Sequence, residues 1–293
     1  MGFIESFILQ FPKSWQFNLG TLVDDAVKSF SRNHQVGLRN VKDTVIFAVG
    51  GIHSILGTLP WIVLVLFVAA LACYLTRKWY SGIIYSALLT FVGCCGLWAH
   101  MLQTLSIVIT SVLICILLGF PLGVLLAVSK RANSVIRPIL DTMQTMPSWV
   151  YLVPADMLFS VGMTPALIAT TIYAIVPIVR LTSHGLIYVD KEMLEAAYAF
   201  GSTGTQALLK VQIPQAIPTI MTGLNQTIMM AMAMVVTCSL IGANGLGMEI
   251  LLATNRVEMG KSLLPGICIV IVAIILDRLT QHAIKRRART TNV

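Results

Sequence analysis

Few residues in this chain have the types and spacing that catalysis or metal binding needs. The five histidines share no metal-ligand spacing, and no Ser/His/Asp or Cys/His arrangement stands out. Gly260-Lys261-Ser262 matches the end of a nucleotide-binding P-loop, but the first glycine of that loop would fall at Asn255 and no strand precedes it. We therefore predict no metal site and no enzyme site in this chain, and we expect any ATP to be bound by another chain.

One acidic residue lies in an apolar stretch, where a different chemistry is available. Asp156 is surrounded by apolar residues, and an ionisable group inside a membrane is costly enough to suggest a function. Its carboxylate would attract a quaternary ammonium, and the rings of Trp149 and Tyr151 could contact a trimethylammonium group. Two alternatives stay open: Asp156 is protonated or hydrogen-bonded across helices, and the rings serve packing or anchor the membrane interface.

The composition places these residues in a membrane protein. The chain has 293 residues, of which 57% are hydrophobic and 11% charged, whereas an ordinary soluble domain has about 25% charged residues. Several runs approach the roughly 20 apolar residues that cross a bilayer as a helix. We predict an all-α, polytopic helical membrane protein. The six cysteines lie in or beside apolar runs, and we interpret them as small buried hydrophobes rather than a disulfide framework.

The hydropathy pattern predicts about seven spans and one preceding amphipathic helix. That helix covers about 40–57, where apolar residues recur at helical spacing between polar ones. It either lies in the membrane interface or forms a short extra span. The predicted spans lie near 59–76, 80–98, 101–128, 139–160, 164–182, 216–241 and 263–283.

The charge distribution predicts the orientation of these spans. The net charge is +8, and no basic patch on a soluble face suggests nucleic-acid binding. Alternate linkers hold only Arg256 and Lys261, so the positive-inside rule places the N-terminus outside and the C-terminus in the cytoplasm. The residues assigned to the cytoplasmic side are Arg77, Lys78, Lys130, Arg131, Arg137, Arg180, Lys191, Lys210, Arg278, Lys285, Arg286, Arg287 and Arg289.

The longest polar linker on that side, 183–215, predicts a helix–turn–helix outside the membrane. Residues 190–200 form a good helix with acids in the first turn, and Gly201 can end it in the left-handed conformation. Thr203 and Gln206 have the spacing of a capping box that begins a second helix. Pro214 and Pro218 are expected to stop that helix before the next span. The small Ala196-Ala197 face would let another protein surface approach closely.

The same linker resembles a known family. Glu195-Ala196-Ala197, three residues, Gly201, nine residues and then Val211-Gln212-Ile213-Pro214 match the EAA signature of ABC-importer permease subunits. The resemblance covers most of 100–283 and looks like the glycine betaine/proline betaine branch. The stretches that carry it are 141–154 (DTMQTMPSWVYLVP), 178–182 (IVRLT), 209–214 (LKVQIP), 218–221 (PTIM), 225–230 (NQTIMM) and 275–281 (ILDRLTQ).

The resemblance implies the fold and the partners. It implies the transmembrane domain of a type I ABC importer in the bacterial cytoplasmic membrane, embedded in the lipid bilayer. Two copies of the permease, usually a homodimer, would form the path, two cytoplasmic ATPase subunits would bind ATP and Mg²⁺, and an extracytoplasmic binding protein would deliver the substrate. No cofactor is expected in this chain. The residues that would contact the ATPase are Glu195, Ala196, Ala197, Gly201, Val211, Ile213 and Pro214.

The resemblance also divides the chain into regions. These are a tail and amphipathic helix (1–58), two peripheral spans (59–98), the permease core (99–285) with its EAA loop (183–215), and a basic cytoplasmic tail (286–293). The expected substrate is glycine betaine or a related quaternary amine. The alternatives are choline, carnitine or an amino acid in the same architecture, or an ion-coupled secondary transporter, which would show paired intramembrane charges and an internal repeat.

Two further groups of candidate residues follow from the resemblance. Asp156 departs from the family, which usually has an apolar residue at this position, and Asn225 could instead form an interhelical hydrogen bond. The acidic and basic residues of the last outer linker could dock a binding protein or simply be solvated. The candidate path residues are Met146, Trp149, Tyr151, Asp156 and Asn225, and the candidate docking residues are Glu249, Arg256 and Glu258.

Overall fold

The described part of the chain is helical almost throughout. A computed structural model describes residues 19–291, with side chains for 20–284. The predicted all-α class is confirmed, and no strand occurs among residues 19–291. The α-helices are α1 (Leu19–Asn33), α2 (Gln35–Thr58), α3 (Trp61–Thr76), α4 (Trp79–Cys94), α5 (Trp98–Val128), α6 (Lys130–Thr145), α7 (Trp149–Phe159), α8 (Met163–Ile187), α9 (Lys191–Ala199), α10 (Gly204–Ala207), α11 (Ile213–Thr237), α12 (Leu246–Asn255) and α13 (Met259–Thr291).

Four helical stretches in the described residues are long and apolar enough to cross a membrane. They are α5, α8, the continuous stretch Gly204–Ile241 that contains α11, and Met259–Ile284 within α13. A fifth is possible if α2 and α3, which meet at an angle of 94°, count as one bent span. Helices α4 and α7 are apolar but have only 16 and 11 residues. Helix length and composition therefore do not reproduce the predicted count of seven membrane spans.

The span predicted at 139–160 is wrong, because two helices occupy this segment. Helix α6 ends at Thr145 and α7 begins at Trp149. Pro147 lies in the break, and Met146 before it has the extended backbone (φ −69°, ψ 136°) that a following proline favours. Helix α6 is amphipathic, with Leu140 as its one buried residue, so it lacks the continuous apolar surface of a span.

The amphipathic helix predicted at 40–57 is present and longer, as α2. Val45 and Val49 are its buried residues, and the helix packs mainly against α5. His53 contacts the Ser106 hydroxyl at 3.4 Å. The chain then turns at Leu59 and Pro60 into α3. Of the terminal segments, residues 1–18 and 292–293 lie outside the described residues, as do the side chains of the basic tail.

The core is built on α8, which packs closely against α5 and α11. Glycines make this approach possible. A β-carbon at Gly123 of α5 would lie 2.5 Å from Thr182 Cβ, and one at Gly223 of α11 would lie 3.1 Å from the carbonyl oxygen of Pro177. Small residues at membrane helix crossings let the backbones approach and gain van der Waals contact. This packing holds α8 and α11 in place relative to each other. The polar linker connects these two helices.

Candidate functional site: the loop between α8 and α11

Helix α9 begins with a well-defined N-cap. Asp190 lies outside the helix, and its Oδ1 accepts a hydrogen bond from the backbone N–H of Glu192 at 2.9 Å. An acidic cap and Glu192 in the first turn both interact favourably with the positive end of the helix dipole. The helix predicted over 190–200 is present as Lys191–Ala199, with Asp190 as its cap rather than in its first turn. A nine-residue helix outside the membrane needs this local support, because short helices are marginal in water.

The end of α9 is a glycine corner. Gly201 has φ +83°, its N–H donates to the carbonyl of Tyr198 at 2.9 Å, and the N–H of Ser202 donates to the carbonyl of Ala197 at 3.0 Å. This pair of bonds is the Schellman motif, which requires a left-handed residue at the position of Gly201. Apart from its chain neighbours, no atom of the described residues lies within 4 Å of a β-carbon built at Gly201. The glycine is therefore needed for its backbone conformation and not for space.

The second helix begins as predicted but does not stop where predicted. Thr203 and Gln206 form the complete capping box, with the Thr203 N–H donating to Gln206 Oε1 at 2.9 Å. The helical path then continues from Gly204 to Ile241 through Pro214 and Pro218, so the expected stop is wrong. A wider, π-helical turn covers Leu208–Gln212 just before Pro214. Such a turn is a common way to absorb an irregularity inside a long helix.

The corner presents an exposed surface of small and apolar side chains. None of the residues of α9 is buried; Glu195 and Ala196 are exposed and Ala197 is half-buried. Phe200 is 91% exposed, and Met193 and Tyr198 are about half exposed. Exposed apolar side chains that form a patch are typical of a contact site for another protein. Met193, Tyr198 and Phe200 are not among the residues predicted from the sequence, although three large apolar residues in a polar linker are a usable signal.

The predicted coupling residues separate into two positions. Glu195, Ala196, Ala197 and Gly201 lie on α9 and its corner, whereas Val211, Ile213 and Pro214 lie half-buried at the base of the long helix. The first group is available to a partner, and the second joins the corner to the membrane-crossing helix.

Helix α7 carries most of the predicted path residues. The Tyr151 hydroxyl donates to the carbonyl of Met143, and its ring meets the Tyr173 ring edge to face at 6.3 Å between centroids. Trp149 is 53% exposed. Asp156 Oδ1 is buried, and no hydrogen-bond partner for it occurs within the described residues. Met146 lies half-buried in the break before α7. Helix α7 thus contributes one ring of an aromatic pair with α8 and, five residues further on, an unsatisfied carboxylate oxygen.

Asn225 lies in a different environment. Its Nδ2 donates to Oδ1 of Asp277 on α13 at 2.8 Å, and Gln281 Nε2 donates to both oxygens of the same carboxylate at 2.8 Å. The Asn225–Asp277 bond joins α11 to α13, and the Gln281 bonds hold the Asp277 carboxylate from within α13. They favour the interhelical hydrogen bond that the sequence analysis gave as the alternative for Asn225.

Two of the three docking candidates in the outer linker have partners within the chain. Glu249 Oε1 lies 3.5 Å from His100 Nε2, and the two oxygens of Glu258 lie 3.2 and 3.1 Å from Lys261 Nζ. Arg256 is exposed. Docking of a binding protein at these residues stays a prediction.

A polar cluster that the sequence analysis missed holds α6 against α8. Arg180 of α8 forms an ion pair with Asp141, and its Nη1 donates to Gln144 Oε1 at 2.6 Å. A cleft of about 730 Å³ lies beside this cluster, with Arg137 and His184 among its lining residues. The sequence analysis counted Arg180 only as a topological charge, although an arginine inside an apolar helix pattern predicts an acidic partner.

Comparison with known proteins assigns the chain to a family. The model of the family described as "Binding-protein-dependent transport system inner membrane component" matches residues 119–289. The chain belongs to this family. This permease is 42% identical to the glycine betaine/proline betaine transport system permease protein ProW of Escherichia coli (strain K12), over 86% of this chain and 71% of the relative.

Other relatives and solved structures agree with that assignment. The permease is 43% identical to the glycine betaine transport system permease protein OpuAB of Bacillus subtilis (strain 168), over 82% of this chain and 86% of the relative. It is 45% identical to the glycine betaine/carnitine transport permease protein GbuB of Listeria monocytogenes serotype 1/2a (strain 10403S), over 79% and 82%. Two inward-facing structures of the MetNI methionine ABC transporter share its fold, with TM-scores of 0.54 over 64% of this chain and 93% of theirs, at 23% and 24% identity.

The family assignment fixes the class of this protein. It is a multi-pass permease subunit of a bacterial inner-membrane ABC importer, and it is a transport component rather than an enzyme. Importers of this family work with an ATPase subunit, which is a separate chain, and with a substrate-binding protein.

Charge reversal tests whether the Arg180–Asp141 pair supports transport. We expect Arg180→Asp to reduce uptake about tenfold, because it places two carboxylates together and separates α6 from α8, and tenfold corresponds to about 1.4 kcal/mol. The swapped pair Asp141→Arg with Arg180→Asp should recover most of the activity. Arg137→Asp, which makes the same charge change on the same cleft, is the control. Equal losses in Arg180→Asp and Arg137→Asp would contradict a role for the pair.

Proposed function

We propose that this permease imports glycine betaine or a closely related quaternary amine, with ATP hydrolysis in the separate subunit as the energy source. One observation supports the coupling of transport to ATP hydrolysis: the exposed α9 corner is joined to the continuous helix Gly204–Ile241. The names of the three relatives described above support the substrate class. The unsatisfied oxygen of Asp156 and the paired rings of Tyr151 and Tyr173 are each compatible with a cationic substrate.

In the proposed mechanism the α9 corner is the contact with the ATPase. The ATPase subunit, which holds ATP and Mg²⁺, packs against Glu195, Ala196 and Ala197, with the exposed ring of Phe200 as an apolar anchor. Movement of the ATPase displaces α9 as a rigid unit, because the helix is capped at both ends. The displacement reaches the membrane through Pro214 and the wide turn before it. Val211 and Ile213 pack at this base and transmit the force.

The orientation and the assembly are parts of the same proposal. The N-terminus lies outside and the C-terminus in the cytoplasm, since the α8–α11 linker must face the ATPase and the charge bias agrees with that side. Two copies of the permease enclose the path. An extracytoplasmic binding protein docks on the opposite end, where Arg256 is exposed and Glu249 and Glu258 can exchange their internal partners for those of the binding protein.

The decisive experiment is ATP hydrolysis in proteoliposomes that contain the permease with the ATPase and the binding protein encoded beside it. Glycine betaine, carnitine, choline and proline are added separately. We expect glycine betaine to stimulate hydrolysis and to accumulate inside cells that express the three components. Stimulation by another of these solutes would replace the substrate and leave the class intact. Uptake that follows an imposed ion gradient, without stimulated hydrolysis, would favour the secondary transporter.

The carboxylate of Asp156 is expected to matter for a cationic substrate. We expect Asp156→Asn to lower uptake of glycine betaine about tenfold at limiting substrate, because the change removes an attraction of about 1.4 kcal/mol while it keeps the shape of the side chain. Uptake and the yield of assembled complex are measured together. Ser148→Ala, just before the same helix, is the control. Unchanged uptake in Asp156→Asn would show that Asp156 is protonated or serves only in packing.

A further inference from the structure

The carboxylate of Asp277 is held between two membrane-crossing helices. Asn225 Nδ2 of α11 donates to its Oδ1 at 2.8 Å, and Gln281 Nε2, one turn further along α13, lies 2.8 Å from each of its oxygens. A carboxylate only accepts hydrogen bonds, so the Asn225 amide must turn its nitrogen towards Asp277. Its Oδ1 is then buried with no hydrogen-bond partner among the described residues. A buried polar atom without a partner calls for an explanation, and an ionisable side chain within a membrane span suggests a function.

The Asn225–Asp277 hydrogen bond is a directional contact in an interface that is mainly apolar. Helices α11 and α13 pack along each other, and Val272 and Ile275 of α13 belong to the same buried apolar cluster as Ala231 of α11. Apolar contact is non-directional, so it allows two helices to slide or rotate against each other. A hydrogen bond instead requires a fixed distance and angle. Since no second side-chain hydrogen bond joins α11 to α13 in the part of the chain that the structure describes, this bond sets the register of the two helices.

Helix α13 connects this bond to the outer linker. Among the described helices, α13 packs most extensively against α12 and α11. Helix α12 joins α13 through the short turn 256–258, where the N–H of Glu258 donates to the carbonyl of Ala253 at 2.9 Å. Asp277 lies roughly 27 Å along α13 from its first residue, Met259. A displacement of α13 at Asp277 therefore also displaces α12, which carries the docking candidate Glu249.

We propose that Asp277 is a positioning residue of the transport cycle that acts through Asn225, an inference that rests on the proposed function. The hydrogen bond makes α13 follow α11 when the ATPase displaces the α9 corner, because α11 belongs to the continuous helix that begins at Gly204. Helix α12 then moves with α13. ATP binding in the cytoplasm thus changes the surface that faces the binding protein. Because such coupling is reciprocal, docking of the binding protein affects the ATPase through the same contacts.

Exchange of the two side chains tests the bond in proteoliposomes that contain the permease, the ATPase and the binding protein. Asn225→Asp places two carboxylates together, and we expect the ratio of substrate-stimulated to basal ATP hydrolysis to fall at least about fivefold. Asn225→Asp with Asp277→Asn again pairs one amide with one carboxylate and should recover at least about half of the native ratio.

Two comparisons make this test specific to coupling. Gln226→Glu makes the same chemical change at the next residue, whose side chain is exposed, and should keep the native ratio. A purely structural clamp would lower the yield of assembled complex and both hydrolysis rates together, with the ratio unchanged. An unchanged ratio in Asn225→Asp, an equal loss in Gln226→Glu or no recovery in the double variant would each overturn the proposal.

A conformational measurement separates this proposal from the proposed function. Asn255→Cys, at the exposed end of α12, carries an environment-sensitive fluorophore in a chain whose exposed Cys94 is replaced by serine. A nonhydrolysable ATP analogue is added to the complex of permease and ATPase, without binding protein or substrate. We expect a fluorescence change that is at least about fivefold smaller when Asn225→Asp is also present.

The two proposals then fail in different ways. An equal fluorescence change with and without Asn225→Asp would overturn the role of Asp277 and leave the proposed function standing. A fluorescence change that is lost in Asn225→Asp, together with no stimulation of ATP hydrolysis by glycine betaine in the native complex, would overturn the proposed substrate and support the role of Asp277.

Discussion

Gly201→Val is expected to leave the permease in the membrane at near-normal levels and to reduce ATP-driven uptake by at least about 90%. The backbone of Gly201 has φ +83°, which a β-branched residue adopts only with strain. The left-handed conformation costs an ordinary residue roughly 1–2 kcal/mol, and the corner can relieve that cost by opening. The two Schellman bonds would then be lost, and α9 would change direction relative to the helix that begins at Gly204.

Two control variants make the expectation specific to backbone conformation. Gly201→Asn should keep most of the uptake, since asparagine tolerates positive φ. Gly204→Ala should behave like the native chain, because Gly204 is helical and no atom lies within 4 Å of an added β-carbon. Radiolabelled substrate uptake and co-purification of the ATPase are measured on all three. Equal uptake in Gly201→Val and Gly201→Asn would show that the corner is not needed in this shape.

The parts of the α8–α11 loop that the sequence predicted are those fixed by local interactions. The helix with acidic residues at its start, the Gly201 corner and the capping box of Thr203 with Gln206 each involve residues within a few positions of each other. Such motifs have the same geometry wherever they occur, so spacing is enough to predict them. The exposure of Phe200 depends instead on which surfaces the rest of the fold covers.

The prolines show where local rules were insufficient. Pro147 ends a helix, and the span predicted across it is wrong, whereas Pro214 and Pro218 lie inside a continuous helical path. A proline removes one hydrogen bond and clashes with the preceding turn in every case. Whether the helix breaks depends on what the neighbouring helices hold in place. Around Pro214 and Pro218, α11 is packed along α8, while α6 before Pro147 is mostly exposed.

Contacts between distant residues were beyond the sequence. The Arg180–Asp141 pair and the Asn225–Asp277 hydrogen bond each join elements whose relative position is set by helix packing. Residue types and spacing do not determine which faces of two helices meet.

Gly123→Ala is expected to destabilise the permease more than any other single methyl addition considered above. The added carbon would lie 2.5 Å from Thr182 Cβ and 2.8 Å from the carbonyl oxygen of Val179. The second of these atoms belongs to the backbone of α8, so the two helices must separate to make room. Overpacking of this kind costs about 1–3 kcal/mol, and we expect the melting temperature of the purified protein to fall by about 5–10 °C.

Gly50→Ala is the matched control, and it is expected to change the stability of the protein in the opposite direction. Gly50 lies inside α2, and nothing lies within 4 Å of a β-carbon built there, so Gly50→Ala should raise stability slightly by helix propensity, by about 0.5–1 kcal/mol. Gly119→Ala should fall between the two variants, because the nearest atoms belong to the side chains of Ile178, Ile175 and Val179 and not to the backbone of α8. Thermal unfolding of the three purified proteins ranks them directly. A melting temperature for Gly123→Ala equal to that of Gly50→Ala would show that α5 and α8 do not cross as closely as their glycines indicate. The proposed rigid connection between the membrane core and the α9 corner would then lack support.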